Sequence, residues 1–144
     1  GHNRLQKEIL ENFVPQFIKN SVVLYIGDTA KKHIIIDVDK LLELNIPVTE
    51  HDKLPDIVMY DERKSRLFLI EAVTSHGPVS PKRHIELEKM LRDCPAEKIY
   101  ISAFPDFKTF MKYAKDIAWE TEVWLSSNPE HMIHYNGDKF IGSK

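Results

Sequence analysis

LPDIVMY at residues 54–60 and LFLIEAV at residues 67–73 are the two stretches that decide the fold. Both are apolar enough to form buried strands, and the polar link DERKSR at 61–66 fits a hairpin loop. Asp56 enters the first strand and Glu71 lies late in the second. Because the start of one strand lies beside the end of the next in an antiparallel hairpin, we expect these carboxylates to meet at one end of a sheet.

Two adjacent carboxylates repel each other unless a proton or a cation lies between them. A hard divalent cation with oxygen ligands is the natural occupant, so the pair predicts a metal site at Asp56 and Glu71. The same two acids could instead perform general acid–base work, as in glycoside hydrolysis. That alternative is less favoured because the chain shows no evident aromatic-lined sugar cleft.

Composition sets broad limits on the protein class. The chain has 144 residues, of which 42% are hydrophobic, so we expect one domain with a substantial core. The net charge is −2, so any phosphate-binding surface must be local. A single cysteine, Cys94, excludes an internal disulfide and is compatible with a reducing cytosol. No apolar run approaches the roughly 20 residues needed to span a bilayer, and no signal peptide is visible. Gly1-His2 resembles a cloning remnant, which suggests that the chain belongs to something longer.

The remaining segments predict a mixed α/β domain with helices covering a central sheet. Helical periodicity begins at residue 3 and continues to 19, with a kink or restart at Pro15. Further strands are expected at 21–26, 33–37, 98–103 and 121–125, further helices at 38–44, 80–94 and 106–118, and a terminal hairpin at 132–141 around Asn136-Gly137.

The helix that follows the second strand begins with a strong start signal. Ser80 is a capping residue, and Pro81 suits the first helical position. Ile85, Leu87, Met90 and Leu91 are expected to form its buried side. The exposed N–H groups of a helix start favour an anion, and Lys82 and Arg83 add positive charge there. An acid pair beside a cationic helix start predicts a phosphodiester site.

Several other polar residues are weaker candidates. His76 could contact phosphate or move a proton, although a locally hydrogen-bonded loop histidine is the commoner case. Asp28 could be a third acid near the site, and Lys31-Lys32 could touch a phosphate backbone, but a turn aspartate and a solvated pair are commoner. The seven histidines show no metal-ligand spacing, which argues against a zinc site.

Several motifs together resemble a known family. Pro55-Asp56, fourteen intervening residues and then Glu71-Ala72-Val73 resemble the PD-(D/E)XK nuclease pattern. The longer strings are more specific: KLPDIV at 53–58, IEAVTSHGPVSPKR at 70–83, YIGDT at 25–29, SAFPD at 102–106, IAWETEVW at 117–124 and IHYNG at 133–137. They resemble the BsuBI/PstI family of type II restriction endonucleases, over nearly the whole chain from Leu5 to Gly137.

This resemblance implies a restriction-endonuclease-like α/β fold, with a mixed central sheet flanked by helices. It implies Mg²⁺-dependent cleavage of double-stranded DNA, with Mn²⁺ able to substitute, by a homodimer acting on a short palindrome. It places the protein in a prokaryotic cytoplasm, away from membranes. Residues 3–144 would be the C-terminal catalytic domain of a longer protein.

The family pattern assigns Asp56 and Glu71 as metal-binding catalytic acids, but its lysine slot holds Val73. A strand places residues 71 and 73 on the same face, so Val73 would occupy the lysine's place without its charge. We therefore predict Lys82 as the catalytic cation, with Lys53 as second choice. The DNA contacts are predicted to come from Ser75, His76, Arg83, His134 and Asn136.

Two alternatives remain open from the sequence. The chain could be a nuclease-like module that binds DNA or a partner without cutting, as the missing motif lysine and the near-neutral charge suggest. It could also be a repair or structure-specific nuclease on the same fold. A test of metal binding at Asp56 and Glu71 would distinguish the first alternative from a restriction endonuclease. A test of whether the cleavage sites share a sequence would distinguish the second.

Overall fold

The chain folds around one seven-stranded mixed sheet flanked by helices, as predicted. The computed structural model describes residues 1–27 and 33–137. The strand order across the sheet is β2-β1-β3-β4-β5-β6-β7. The strands are β1 Val22–Gly27, β2 His33–Ile36, β3 Ile57–Asp61, β4 Arg66–Ala72, β5 Glu97–Phe104, β6 Thr121–Leu125 and β7 Met132–Tyr135.

Helices lie before, between and after these strands. The α-helices are α1 His2–Glu8, α2 Val14–Phe17, α3 Val38–Glu43, α4 Pro81–Met90 and α5 Phe107–Tyr113. A π-helical segment, Ile9–Phe13, joins α1 to α2, and short 3₁₀ helices cover Val48–Lys53 and Ala114–Asp116. No helix in the described ranges is long and apolar enough to cross a membrane.

The predicted hairpin of the two deciding stretches is confirmed. β3 and β4 pair antiparallel, with Ile57 opposite Ile70. This register places Asp56, one residue before Ile57, beside Glu71, one residue after Ile70. β4, β5 and β6 then run parallel, because α4 and α5 carry the chain back between them. The carboxyl ends of β4, β5 and β6 therefore share one edge of the sheet with the two acids.

The N-terminal helical region packs on one face of the sheet. Leu5, Ile9 and Phe13 are almost completely buried and cluster with Ile57 and Ile70. The predicted disturbance at Pro15 is confirmed, since Pro15 lies in the short helix α2 that restarts after the π-helical segment. Proline lacks the N–H that a continuous α-helix would use, and wide π turns accommodate such interruptions.

The opposite face of the sheet carries α3 and α4. Leu67 and Leu69 pack there against Leu87 and Leu91. Side chains alternate along a strand, so Glu71 projects from this same face, toward α4. The expectation that Ile85 belongs to the buried side of α4 is wrong: its side chain is 68% exposed. It lies off the stripe defined by positions 83, 87 and 91, which recur at the four-residue spacing of one helical face.

Two predictions reach beyond the described residues. β7 confirms the first strand of the expected terminal hairpin, whereas its second strand lies outside the described part of the chain. Asp28 and Lys31-Lys32 also lie outside it. Cys94 is buried and not disulfide-bonded.

Candidate active site

Asp56 and Glu71 meet at the sheet edge, joined by two crossed hydrogen bonds. The backbone N–H of Ala72 donates to Asp56 Oδ2 at 2.7 Å. The backbone N–H of Asp56 donates to Glu71 Oε1 at 3.4 Å. Each strand therefore helps to hold the other strand's carboxylate, which follows from the antiparallel register. The side chains of Asp56 and Glu71 are 24% and 14% exposed.

The pKa of Glu71 is raised above its ordinary range. Burial, which disfavours the charged carboxylate, is the largest cause, and the charge of Asp56 adds to it. The Arg83 guanidinium acts in the opposite direction but does not cancel these effects. Because the two carboxylates repel each other, a further positive charge between Asp56 and Glu71 would be favourable.

Arg83 is the cation that the structure brings to the acids. Its Nε donates to Glu71 Oε2 at 2.9 Å. The start of α4 is formed as predicted: Ser80 Oγ accepts the backbone N–H of Arg83 at 3.1 Å, with Pro81 in the first turn. Arg83 is four residues before the buried Leu87, so it shares the helix face that packs on the sheet.

Lys82 and Lys53 lie elsewhere. Lys82 is exposed in the first turn of α4, and no hydrogen bond or ion pair within the described ranges joins it to either acid. Lys53 pairs with Glu50 at 3.0 Å, and its side chain is 62% exposed. Val73, in the motif's lysine slot, is fully buried with Phe104 and Val123.

A cavity of about 350 Å³ opens beside the acids. Asp56, Glu71, Arg83, His76, Asp52 and His2 are among the residues that line it. His76 is exposed on its rim, and Ser75 is exposed on the same loop without lining the cavity. A larger groove of about 810 Å³ runs between α4 and the 3₁₀ helix Val48–Lys53 and shares Asp52 and Arg83 with the cavity.

His134 and Asn136 are not brought to this cavity. Both belong to the β7 region, three strands away from β4 in the sheet, which is on the order of 15 Å at ordinary strand spacing. His134 is hydrogen-bonded to Glu122 on β6. Asn136 lines a separate depression with Trp119, Glu120 and Gly137.

His2 is the site residue that the sequence did not reveal. Its Nε2 lies 3.3 Å from Asp56 Oδ1, and its side chain is 11% exposed. Its Nδ1 is buried without a hydrogen-bond partner among the described residues. A position 54 residues before Asp56 gives no spacing signal, and Gly1-His2 resembled a cloning remnant.

The two carboxylates suit Mg²⁺ better than they suit a metal ion whose ligands all come from the protein. Within residues 1–27 and 33–137, no group of three or more His, Cys, Asp or Glu side chains is arranged to hold a metal ion. Mg²⁺ is usually held by one or two carboxylates, with waters and substrate phosphates completing its octahedron. Two converging carboxylates at an open cavity match that pattern.

Comparisons with known proteins bear on the family and the fold of this chain. The family described as "BsuBI/PstI restriction endonuclease domain" matches residues 1–138, a range that includes His2. The chain is 43% identical over 141 residues to the type II restriction enzyme BsuBI of Bacillus subtilis, and 33% identical over 149 residues to AplI of Arthrospira platensis. These alignments cover 98% of this chain and 45% of each relative, so the chain spans less than half of the curated relatives' length.

The solved structure of the SdaI restriction endonuclease superposes with a TM-score of 0.88 at 35% sequence identity. The match covers 99% of this chain and 45% of that one. It confirms the restriction-endonuclease-like fold predicted from the sequence. On the family match and the fold together, this chain belongs to the BsuBI/PstI restriction endonuclease domain family.

Proposed function

We propose that this chain is the DNA-cleaving domain of a type II restriction endonuclease, which hydrolyses phosphodiester bonds in double-stranded DNA. The observation that carries the proposal is the meeting of Asp56 and Glu71 at an open cavity, with Arg83 Nε 2.9 Å from Glu71 Oε2. The relatives named as type II restriction enzymes support the same chemistry.

Asp56 and Glu71 would hold Mg²⁺, or Mn²⁺ in its place. Bound there, the ion would polarise a phosphate oxygen and lower the pKa of a bound water. The two carboxylates set its position at the carboxyl end of β4, and the cavity leaves room for a phosphate group. The raised pKa of Glu71 supports this role, since a divalent cation relieves the repulsion between the two acids.

Arg83 replaces Lys82 in our assignment of the catalytic cation. A guanidinium has five N–H donors, and only the Nε–H is used by Glu71 in this structure. The terminal nitrogens remain able to donate to a phosphate oxygen and to stabilise the charge that develops on it during hydrolysis. The buried Val73 leaves the end of β4 next to Glu71 without a cation, so the start of α4 supplies it.

The DNA is proposed to approach along the 810 Å³ groove that continues from the cavity. Arg83 and His76 are placed to contact phosphates near the cut, with Ser75 on the same loop. His134 and Asn136, distant from the acids, are proposed as contacts to bases farther along the duplex. A homodimer acting on a short palindrome in the bacterial cytoplasm completes the proposal, because a twofold protein matches a twofold site.

A second candidate is a module of this fold that binds DNA or a partner without cutting. The buried Val73 in the lysine slot is the observation that favours it. Such a module has no need of a metal ion at Asp56 and Glu71. A Mn²⁺ titration of the wild type and of Asp56→Ala therefore separates the two candidates.

The direct test is plasmid cleavage in Mg²⁺ and in Mn²⁺, with a chelator control and Asp56→Ala beside the wild type. Discrete fragments that disappear with chelator and with the variant are expected. Cleavage by Asp56→Ala at the wild-type rate would overturn the site assignment. Absence of cutting together with absence of Mn²⁺ binding would favour the binding module.

A further inference from the structure

We infer that His2 is a positioning residue for the metal site: its Nε2–H holds Asp56 Oδ1 and fixes the orientation of the Asp56 carboxylate. The inference rests on the proposed function, because it assumes that Asp56 binds a metal ion. It adds a residue from the opposite face of the sheet to a site otherwise built from β3, β4 and α4.

The backbone of His2 is fixed by the rest of its helix. Leu5 and Ile9 are 1% and 0% exposed in the core beneath α1. Gln6 Nε2 donates to the backbone oxygen of Gly27 at 2.7 Å, and Glu8 accepts a hydrogen bond from the Ser126 hydroxyl. The helix directly after His2 is thus fixed on both sides, which keeps the backbone of His2 at the sheet edge without help from Asp56.

The surroundings of the ring decide which nitrogen carries the proton. Nε2 faces the Asp56 carboxylate at 3.3 Å, and a carboxylate oxygen accepts hydrogen bonds but does not donate them when ionised. An unprotonated Nε2 would direct its own lone pair at a lone pair of the Asp56 carboxylate, and the two would repel each other. A proton on Nδ1 alone would also bury an N–H group that has no acceptor among the described residues, which is unfavourable. The tautomer that carries its proton on Nε2 avoids both of these unfavourable arrangements.

This contact completes the support of the Asp56 carboxylate. Oδ2 accepts a hydrogen bond from the Ala72 backbone N–H at 2.7 Å, and Oδ1 lies 3.3 Å from His2 Nε2, within the distance of an ion pair. With a backbone donor on one oxygen and the His2 ring beside the other, the Asp56 carboxylate is restricted in its rotation about the Cβ–Cγ bond. Outer partners of this kind typically change metal affinity about 10–100-fold when they are removed.

The test is Mn²⁺ binding to metal-free protein by calorimetry at one fixed pH. His2→Ala removes the donor, whereas the side-chain amide of His2→Gln can place an N–H near the former Nε2. Asn3→Ala is the matched control, since Asn3 is exposed on the same turn of α1. Asp56→Ala shows whether the measured binding belongs to this site, and thermal melting of each variant shows whether the fold is kept.

We expect His2→Ala to weaken Mn²⁺ binding about 10–100-fold. His2→Gln should recover most of that loss, and Asn3→Ala should bind as the wild type does. Long-range ¹H–¹⁵N spectra of the metal-free protein should show the His2 ring protonated at Nε2.

Three results would contradict this assignment. If His2→Ala bound Mn²⁺ as tightly as the wild type, or if His2→Gln lost as much Mn²⁺ affinity as His2→Ala, the role of His2 would be overturned. The proposed metal site would not be affected by either result. Equal Mn²⁺ binding by the wild type and Asp56→Ala would overturn the metal site itself and the proposed function with it.

Discussion

At the scale of single residues, the meeting of Asp56 and Glu71 was predicted, whereas the cation that contacts them was not. Asp56 and Glu71 stand out because carboxylates are rare in buried strands, and the hairpin register brings them together. Lys82 and Arg83 are adjacent in sequence, but each step along an α-helix turns the side chain by about 100°. The position of Arg83 four residues before Leu87 was a usable signal, which the sequence-based choice of Lys82 overlooked.

The first prediction compares these two cations. Arg83→Ala should lower the cleavage rate about 10²–10³-fold, the usual loss when one charge-stabilising donor is removed. Lys82→Ala should lose less than about tenfold, since an exposed phosphate contact contributes little to the chemical step. Single-turnover cleavage at saturating Mg²⁺ measures both. Equal losses in the two variants would restore Lys82 as the catalytic cation.

The second prediction concerns the cost of burying Glu71. Its raised pKa means that the folded protein binds more protons than the unfolded chain as pH rises above the ordinary value of 4.5. Stability of the metal-free protein must therefore fall with rising pH through that window. Glu71→Gln removes the titration, so its stability should depend less on pH and should exceed that of the wild type at pH 8.

Urea unfolding of both proteins at pH 5 and pH 8, in chelator, measures this difference. Addition of Mg²⁺ should then stabilise the wild type more than Glu71→Gln, because the variant keeps only one of the two metal-binding carboxylates. A steeper pH dependence in the variant would contradict the direction assigned to the Glu71 pKa.

At the scale of elements, the helix starts, the apolar strands and the β3–β4 pairing were predicted correctly, whereas the partners of the parallel strands could not be predicted from the sequence. Ser80 caps α4 as predicted and accepts the backbone N–H of Arg83, and Asp106, where a helix was expected to begin, accepts the backbone N–H of Thr109. Nothing local in the sequence of β5 indicates that it lies parallel between β4 and β6. That choice depends on how α4 and α5 pack across the sheet, which is a long-range property.

The third prediction compares the loss of the Ser80 cap of α4 with the loss of the Asp106 cap of α5. Ser80→Ala should cost about 0.5–2 kcal/mol of stability and also slow cleavage, because the capped turn carries Arg83. Asp106→Ala removes the cap of α5, which carries no proposed site residue, so it should lower stability without changing the rate of the folded enzyme. Denaturant titration and cleavage assays on both variants make the comparison. Restoration of both properties by Ser80→Asp would identify the cap as the cause.

The fourth prediction uses the contact between α4 and β5. Burial, with the neighbouring Glu88 carboxylate, raises the pKa of Tyr100. In the unfolded chain this phenol ionises near pH 10, while in the folded protein it stays protonated to higher pH. Stability should therefore fall as pH rises above about 10. Tyr100→Phe should be less stable at pH 8, having lost its hydrogen bond to Glu88, but should lose less on further alkalinisation.

At the scale of the whole molecule, the two faces of the sheet carry the apolar core, whereas the candidate site lies at one edge of the sheet. The clusters around Phe13 on one face and Leu87 on the other bury most of the large apolar side chains. The site occupies the edge where β3 and β4 exchange hydrogen bonds. The sequence predicted this architecture through its apolar runs, but the reach of α1 from one face to the acids depends on tertiary packing, which no local pattern encodes.

The number of sites per molecule leads to the last prediction. The described part of the chain holds one pair of proposed site acids, Asp56 and Glu71, and one such site would hydrolyse one strand. On the proposed function, both strands of a palindrome would be cut together by two copies of the chain related by a twofold axis. Dimers that contain one wild-type subunit and one Asp56→Ala subunit should nick a single strand.

Mixed dimers can be made by unfolding and refolding the two proteins together in equal amounts, with supercoiled plasmid as substrate. Nicked circles should accumulate in the mixture, whereas wild type alone should produce linear DNA. If the enzyme works as a monomer, the variant only dilutes the active protein, and the ratio of nicked to linear product stays at the wild-type value. The product ratio thus reports how many chains act on one site, independently of the overall rate.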